Sequence, residues 1–197
     1  MTMKDDDHAI APGKLAAIVT FLEMNTRPDL SQHVTIPGCE VARVYQPGLA
    51  WYRTLFERVG APWLWSSRLK LDDQALAAIL HDPAVEVFAL SSKGRDEGFV
   101  ELDFRKAGEC ELAYFGVTVS QIGTGSARLL MQTALRQAWQ RPMRRAWVHT
   151  CTLDHPNAVA FYQRAGFKPY ARKLELFDDP RLTGHLDRNC APTVPLL

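Results

Sequence analysis

The chain has 197 residues, 47% of them hydrophobic and 23% charged, with 23 basic against 22 acidic side chains. That length and apolar content suffice for one large domain with a core of its own. The near-zero charge balance gives no electrostatic reason to expect nucleic-acid or anionic-membrane binding.

No apolar run approaches the length of a membrane span, and the opening "MTMKDDDHAIAPGK" lacks the apolar segment of a secretory leader. Cys39, Cys110, Cys151 and Cys190 are scattered, with neither a CxxC pair nor zinc-like spacing. They read as free thiols in a reducing compartment. The expectation is a cytoplasmic protein with no metal, no nucleic-acid partner and no membrane partner.

Residues 1–13 read as a mobile tail, followed by a strand over Leu15–Met24. A polar connector with two prolines leads to the short strand "VARVYQP". Pro47 then opens a helix with Trp51, Leu55, Phe56 and Val59 on one face, and Gly60 is expected as its C-terminal cap. An aromatic link, "APWLWSSRLKL", precedes a second helix capped by Asp72, with Leu76, Ile79 and Leu80 inward. Next come the strand "AVEVFAL", a hairpin turn "SSKGRDEG", the strand "FVELDF", a turn "RKAGE" and the strand "CELAYFGVTV". Short strands with tight links predict antiparallel pairing.

Ala127, Leu130, Met131, Ala134, Leu135 and Ala138 then form one apolar helical stripe. The strand "RRAWVHTC" is reached through that helix, so it should run parallel to the strand before it. A last helix, "HPNAVAFYQRAGF", turns Ala158, Phe161, Tyr162 and Ala165 inward and stops at Gly166; the strand "YARKLELF" follows. The expected organisation is a single domain over 14–178, with 14–24 as an additional N-terminal strand, and a polar C-terminal tail over 179–197. The expected fold is α/β. Its central sheet is mixed and mostly antiparallel, with one splayed parallel pair and helices on both faces. Ligands favour the crevice that such a parallel pair leaves at its carboxyl end.

Between the fourth strand of this run and its helix lies Ile122-Gly123-Thr124-Gly125-Ser126-Ala127. A helix N-terminus presents unpaired N–H groups and the positive end of its dipole, and glycines let an anion approach them. The same pair of glycines can also be a plain tight turn. The dinucleotide fingerprint and the lysine-bearing phosphate loop are both absent.

Two segments together carry a resemblance. Val117-Thr118-Val119-Ser120-Gln121-Ile122-Gly123-Thr124-Gly125-Ser126-Ala127 has the spacing of V-x-P-x-x-(Q/R)-G-x-G-x-(G/A). His155, Ala158, Phe161, Tyr162, Gly166 and Phe167 follow N-x-x-A-x-x-(F/L)-Y-x-x-x-G-F. In order and spacing the chain resembles the GNAT superfamily of acyl-CoA-dependent N-acyltransferases, from about residue 40 to 176. Val119 stands where the family has proline, Ile122 where it has Gln or Arg, and His155 where it has Asn.

The resemblance implies an N-acetyltransferase with acetyl-CoA as co-substrate. It implies backbone pairing of pantetheine near Val117, Thr118 and Val119, and pyrophosphate on Ile122, Gly123, Thr124, Gly125, Ser126 and Ala127. His155, at the family's asparagine position, and the neighbouring Asn157 are included in the cofactor-binding set. Tyr162 becomes the general acid. Glu111 becomes the general base, because it shares strand parity with Val117 and so should share its face. Glu101 and Asp103 are second candidates, followed by His149 and Asp154; the family's alternative glutamate position is occupied here by Thr150. Direct attack requires no protein nucleophile, so Cys151 has no assigned role.

By the same resemblance the two helices and their link shape the acceptor pocket. Trp51, Trp63 and Trp65 there, with Glu101, are the candidate contacts for a small-molecule or peptide amine. Aromatics either cage an ammonium or pack a helix pair onto the sheet. Two rival readings are a non-catalytic acyl-CoA-binding module of the same fold and an unrelated α/β protein whose glycines form only a turn. The additional N-terminal strand either completes the sheet or pairs with a second subunit as a homodimer, since an unpaired edge is a liability.

Overall fold

The computed structural model describes residues 8–197. Most of the tail expected over 1–13 therefore lies outside the described residues. One sheet contains β1 (Lys14–Met24), β2 (Cys39–Val44), β3 (Val85–Ser92), β4 (Arg95–Asp103), β5 (Glu109–Val117), β6 (Arg145–Cys151) and β7 (Lys168–Asp178). Their order across the sheet is β2-β3-β4-β5-β6-β1-β7. Helices α1 (Leu49–Gly60) and α2 (Asp73–Leu80) pack on one face, and α3 (Ser126–Ala138) and α4 (Ala158–Arg164) on the other.

Local chemistry accounts for most of these boundaries. The Asp72 carboxylate accepts the Ala75 N–H and caps α2, as its sequence position predicts. Gly166, at φ 104°, ends α4 in the left-handed conformation that favours glycine. The β3–β4 hairpin is tighter than its polar sequence suggests. Only Lys93 and Gly94 form the turn, both at positive φ, which matches the twist of the flanking strands.

Gly60 departs from expectation. Its φ is −96°, so it is no left-handed cap, and a 3-10 turn over Ala61–Trp63 continues from α1 to Leu64 at φ 59°. Glycine is needed there for space, because a β-carbon would come within 2.6 Å of the Trp65 β-carbon.

The additional strand does not extend an outer edge. β1 lies between β6 and β7 and runs antiparallel to both, with Val19–Met24 along Cys151–Ala146 and Lys14–Glu23 along Asp178–Lys168. It completes the sheet from within, and Leu22 and Met24 belong to the main core.

The parallel pair β5–β6 is short. Glu109 pairs with Arg145, Cys110 with Ala146 and Glu111 with Trp147. Beyond that point both strands continue without pairing to each other. Each is held on its outer edge, β5 by β4 and β6 by β1, so their inner edges diverge into an open fork.

β5 also carries a bulge. Glu101 faces Tyr114 and Leu102 faces Leu112, which leaves Ala113 as an extra residue. Leu112 and Phe115 consequently both point into the α3/α4 core, although they lie three residues apart. The expectation that Glu111 and Val117 share a face is overturned here. Val117 packs on the α3/α4 side, whereas Glu111 points to the α1/α2 side beside Trp147 and His149. One inserted residue reverses strand parity.

Candidate active site

The glycine loop closes the end of the fork. Thr118–Ile122 turns through a short 3-10 segment over Val119–Gln121, and Gly123 and Gly125 stand at φ 81° and 90° before α3 begins. Those angles explain the glycines: an L side chain is strained there. Open space surrounds a β-carbon built on Gly123, while one on Gly125 would meet Ile36 at 3.1 Å. Among the described residues the N–H groups of Gly123, Gly125 and Ala127 have no backbone partner, whereas those of Gln121, Ile122 and Thr124 are taken within the turn. The hydroxyl of Thr124 is 2.9 Å from both the Gln121 carbonyl and the Ser126 hydroxyl, so these two side chains brace the loop from inside. Ser126 is completely buried; Val119 and Ile122 are exposed apolar side chains at the rim. The geometry suits an anion held by backbone groups at the head of a long helix.

Glu97 anchors the start of the loop. Its carbonyl accepts the Thr118 N–H at 2.8 Å, and its carboxylate accepts the Thr118 hydroxyl at 2.5 Å and Arg58 at 2.9 Å. Thr118 thus spends its N–H on β4. Strand alternation then directs the peptide groups of Val117 toward the fork.

On the α3/α4 side of the fork lies Tyr162. It is 6% exposed, with its ring among Phe115, Phe161 and Phe167. Burial, and then the charge of Asp154, push the phenol far above its usual range, so it keeps its proton. Asp154 is itself held by three donors. It accepts the Thr150 hydroxyl at 2.7 Å, the Cys151 N–H at 2.8 Å and the Trp65 indole N–H at 2.8 Å. Cys151 is pushed up to about 11 by burial and by Asp154, which leaves it a thiol at neutral pH.

On the opposite side, Glu111 occupies the crotch of the fork. It forms the last β5–β6 pair with Trp147, and its Oε1 is 3.6 Å from Nδ1 of His149. That carboxylate raises the imidazole above its ordinary range. A groove of about 450 Å³ opens here, lined by Asp103, Arg105, Lys106, Glu109, Glu111 and Trp147. Phe21 of β1 extends this surface, 5.7 Å from His149 and 6.1 Å from Tyr170 between ring centroids. Phe21 and Trp147 were not among the sequence candidates. The alternation Trp147–His149 in β6 was a readable sign for one; only the insertion of β1 brings in the other.

The tryptophans separate. Trp51 donates to Asp96 at 2.9 Å, at the β3–β4 end of the sheet and away from Glu111. Trp63 meets His155 edge-on at 5.4 Å. The Nδ1 of His155 accepts the Asn157 N–H at 3.1 Å, so this imidazole is engaged in the local turn, while Asn157 is exposed. Trp65 crosses the fork, lying against Gly116 of β5 and bonded to Asp154 after β6.

Glu101 is fully enclosed: it accepts the Tyr52 hydroxyl at 2.5 Å and Arg68 at 2.5 Å. It ties the α1–α2 link to the sheet and presents no surface to an acceptor. Among the described residues no cluster of three or more His, Cys, Asp or Glu is arranged for a metal.

The C-terminal segment folds as well. Leu186 and Ala191 are buried against Leu64, with Leu15, Leu69 and Leu153 around them. Arg181, 4% exposed, donates to both oxygens of Asp179 and to the carbonyls of Cys190 and Val194. The polar tail seen in the sequence is therefore pinned from inside, beside the link that carries Trp63 and Trp65.

A family model described as the acetyltransferase (GNAT) family matches residues 49–167, a span that includes the loop, the fork and Tyr162 but neither β1 nor β7. No curated protein matches the chain. Among solved structures, a functionally unknown conserved protein from Staphylococcus epidermidis superposes with a TM-score of 0.61 at 13% identity, over 85% of this chain and 63% of that one. A GCN5-related N-acetyltransferase from Kribbella flavida gives 0.56 at 18% identity, over 87% and 63%. An aminoglycoside acetyltransferase from an uncultured soil metagenomic sample, in complex with trehalose, gives 0.55 at 13% identity, over 66% and 88%. The chain thus spans less than two thirds of the length of the first two structures. At such identities these likenesses speak for the fold. The family follows from the sequence match across more than half of the chain: the protein belongs to the GNAT acetyltransferase family.

Proposed function

We propose that this chain transfers the acetyl group of acetyl-CoA to a primary amine by direct attack, with Tyr162 as general acid and Glu111 as general base. Family membership implies acetyl-CoA as the co-substrate. One observation carries the residue assignment: Tyr162 and Glu111 lie on opposite faces of the same fork, and the inward peptide of Val117 lies between strands that have ceased to pair. The Gly123, Gly125 and Ala127 N–H groups would take the pyrophosphate, and the Val117 peptide would pair with the pantetheine arm. A protein N–H directed at the thioester oxygen would stabilise the charge that develops there.

The acceptor approaches from the Glu111 side. Its ammonium gives a proton to Glu111, directly or through water, and the freed lone pair forms the C–N bond. The C–S bond then breaks as the Tyr162 hydroxyl protonates the departing sulfur, and the second proton, shed by the acceptor nitrogen as it becomes an amide, returns to the tyrosinate through water. Burial keeps the Tyr162 phenol protonated at neutral pH, the state a proton donor must be in. Phe21, Trp147 and His149 offer an aromatic surface to a small-molecule or peptide amine. The likeness to an aminoglycoside acetyltransferase makes aminoglycosides one class to include among the acceptors tested.

The test is calorimetric titration with acetyl-CoA, with CoA and NADH as controls, followed by CoA-thiol release across a panel of amines. Binding of acetyl-CoA with amine-dependent thiol release is expected. Binding without release by any amine, and without effect of Tyr162→Phe, would favour a non-catalytic acyl-CoA module. Absence of binding by folded protein would reduce the glycine loop to a turn.

A further inference from the structure

The sheet ends at β7, and this edge has the features of an interface. β7 is paired on one side to β1 and unpaired on the other among the described residues. Leu174 is 49% exposed, Leu176 62%, and Ile18 on the neighbouring strand 50%. Ile18 faces Leu174 and Ala16 faces Leu176 across the β1–β7 ladder. These residues share the parity of Leu22, so they form an apolar stripe on the α3/α4 side, beyond the reach of α4. On the opposite side, Lys173 and Glu175 are exposed, and neither has an ion pair within the chain among the described residues. Lys173 lies over the Phe21 ring at 4.9 Å.

We propose that a second copy of this chain covers this edge, the two β7 strands pairing antiparallel about a two-fold axis centred on Leu174. An isologous contact of this kind must be self-complementary. With the axis perpendicular to the sheet, opposed residues lie on the same face, so the axis must pass through a residue. Centring on Lys173 sets two lysines against each other, and centring on Glu175 sets two glutamates. Centring on Leu174 instead opposes Lys173 to Glu175 of the partner subunit, and Glu175 to Lys173 of the partner subunit. It also puts Leu174 against Leu174 of the partner subunit, continuing the apolar stripe across the junction. Pro169, which has no N–H to donate, then falls at the end of the ladder. Lysine and proline on an edge discourage foreign strands; here the same lysine selects this chain. The match is carried by charge order along one strand together with a stripe of exposed leucines, and it is independent of the acetyl-transfer reading.

The experiment is light-scattering mass measurement on full-length protein at tens of micromolar. The wild type should run at twice the chain mass. Lys173→Glu opposes glutamate to glutamate, and Glu175→Lys opposes lysine to lysine; each variant alone should dissociate, its dimer constant weakening at least about tenfold. Both positions are exposed, so folding should persist and is verified by circular dichroism. Mixing the two variants should restore the dimer mass, because each charge then meets its opposite in a heterodimer. A monomeric wild type, single variants that remain dimeric, or a mixture that fails to reassociate would each overturn the proposal.

Discussion

Trp65 and Asp154 are 89 residues apart and joined by one hydrogen bond, indole N–H to Oδ1, at 2.8 Å. The bond ties the link between α1 and α2 to the loop that follows β6. It spans the fork where β5 and β6 have parted, and two glycines make room for the ring. Trp65→Phe keeps an aromatic in that notch but removes the donor together with the outer part of the indole that lies against Gly116. Loss of a hydrogen bond to a charged group should lower stability by about 2 kcal/mol, read by urea unfolding. An unchanged transition would show that the bond does not hold the fork.

Tyr162→Phe isolates the hydroxyl. The ring contacts with Phe115 and Phe167 remain, so acetyl-CoA affinity should stay within about twofold of wild type. Turnover should fall by about 100-fold or more if the phenol protonates the leaving sulfur. Equal kcat in the two proteins would remove Tyr162 from the chemistry.

Glu111 and His149 make a titration prediction. The carboxylate raises the imidazole, so the charged pair persists above the ordinary histidine range and is lost as pH rises through the raised value. The corresponding stabilisation is complete below the unfolded-state pKa of about 6.5 and disappears at higher pH. Glu111→Gln should bring the His149 titration back toward that ordinary value, as followed by its imidazole NMR resonances. In the wild type, kcat/KM for the amine should rise as His149 loses its proton and releases Glu111 from the ion pair. A flat profile through that range would exclude Glu111 as the base.

Gly125→Val tests the loop. The residue sits at φ 90°, and a β-carbon would press on Ile36 at 3.1 Å. Acetyl-CoA affinity should fall at least about tenfold in calorimetry, since the first turn of α3 must shift. Retained affinity would detach cofactor binding from this loop.

Arg181→Ala tests the C-terminal segment. The guanidinium is buried and holds Asp179 together with several carbonyls, so its removal strands a buried carboxylate and should cost about 3 kcal/mol. Limited proteolysis should then cut within 182–197 while the rest of the chain resists. An equally resistant variant would show that the Leu186 and Ala191 contacts suffice.

The order of elements, the two-glycine loop and the inward face of α4 follow from the sequence by itself. Turn chemistry and hydrophobic period are local properties: Asp72 caps, Gly166 stops a helix, and Tyr162 falls on an apolar stripe wherever the chain goes. What only the tertiary structure decided was long-range pairing. Ala113 bulges because β4 and β5 shift register, and that single residue turns Glu111 away from the face of Val117; the alternation of side chains along β5 gives no sign of it. β1 lies between β6 and β7, which places Phe21 beside His149 and Tyr170 in the candidate site, because strand neighbours are chosen by edges far apart in sequence. The fork opens where the inner edges of β5 and β6 part while each keeps its outer partner, and no local pattern records which edge a strand will use.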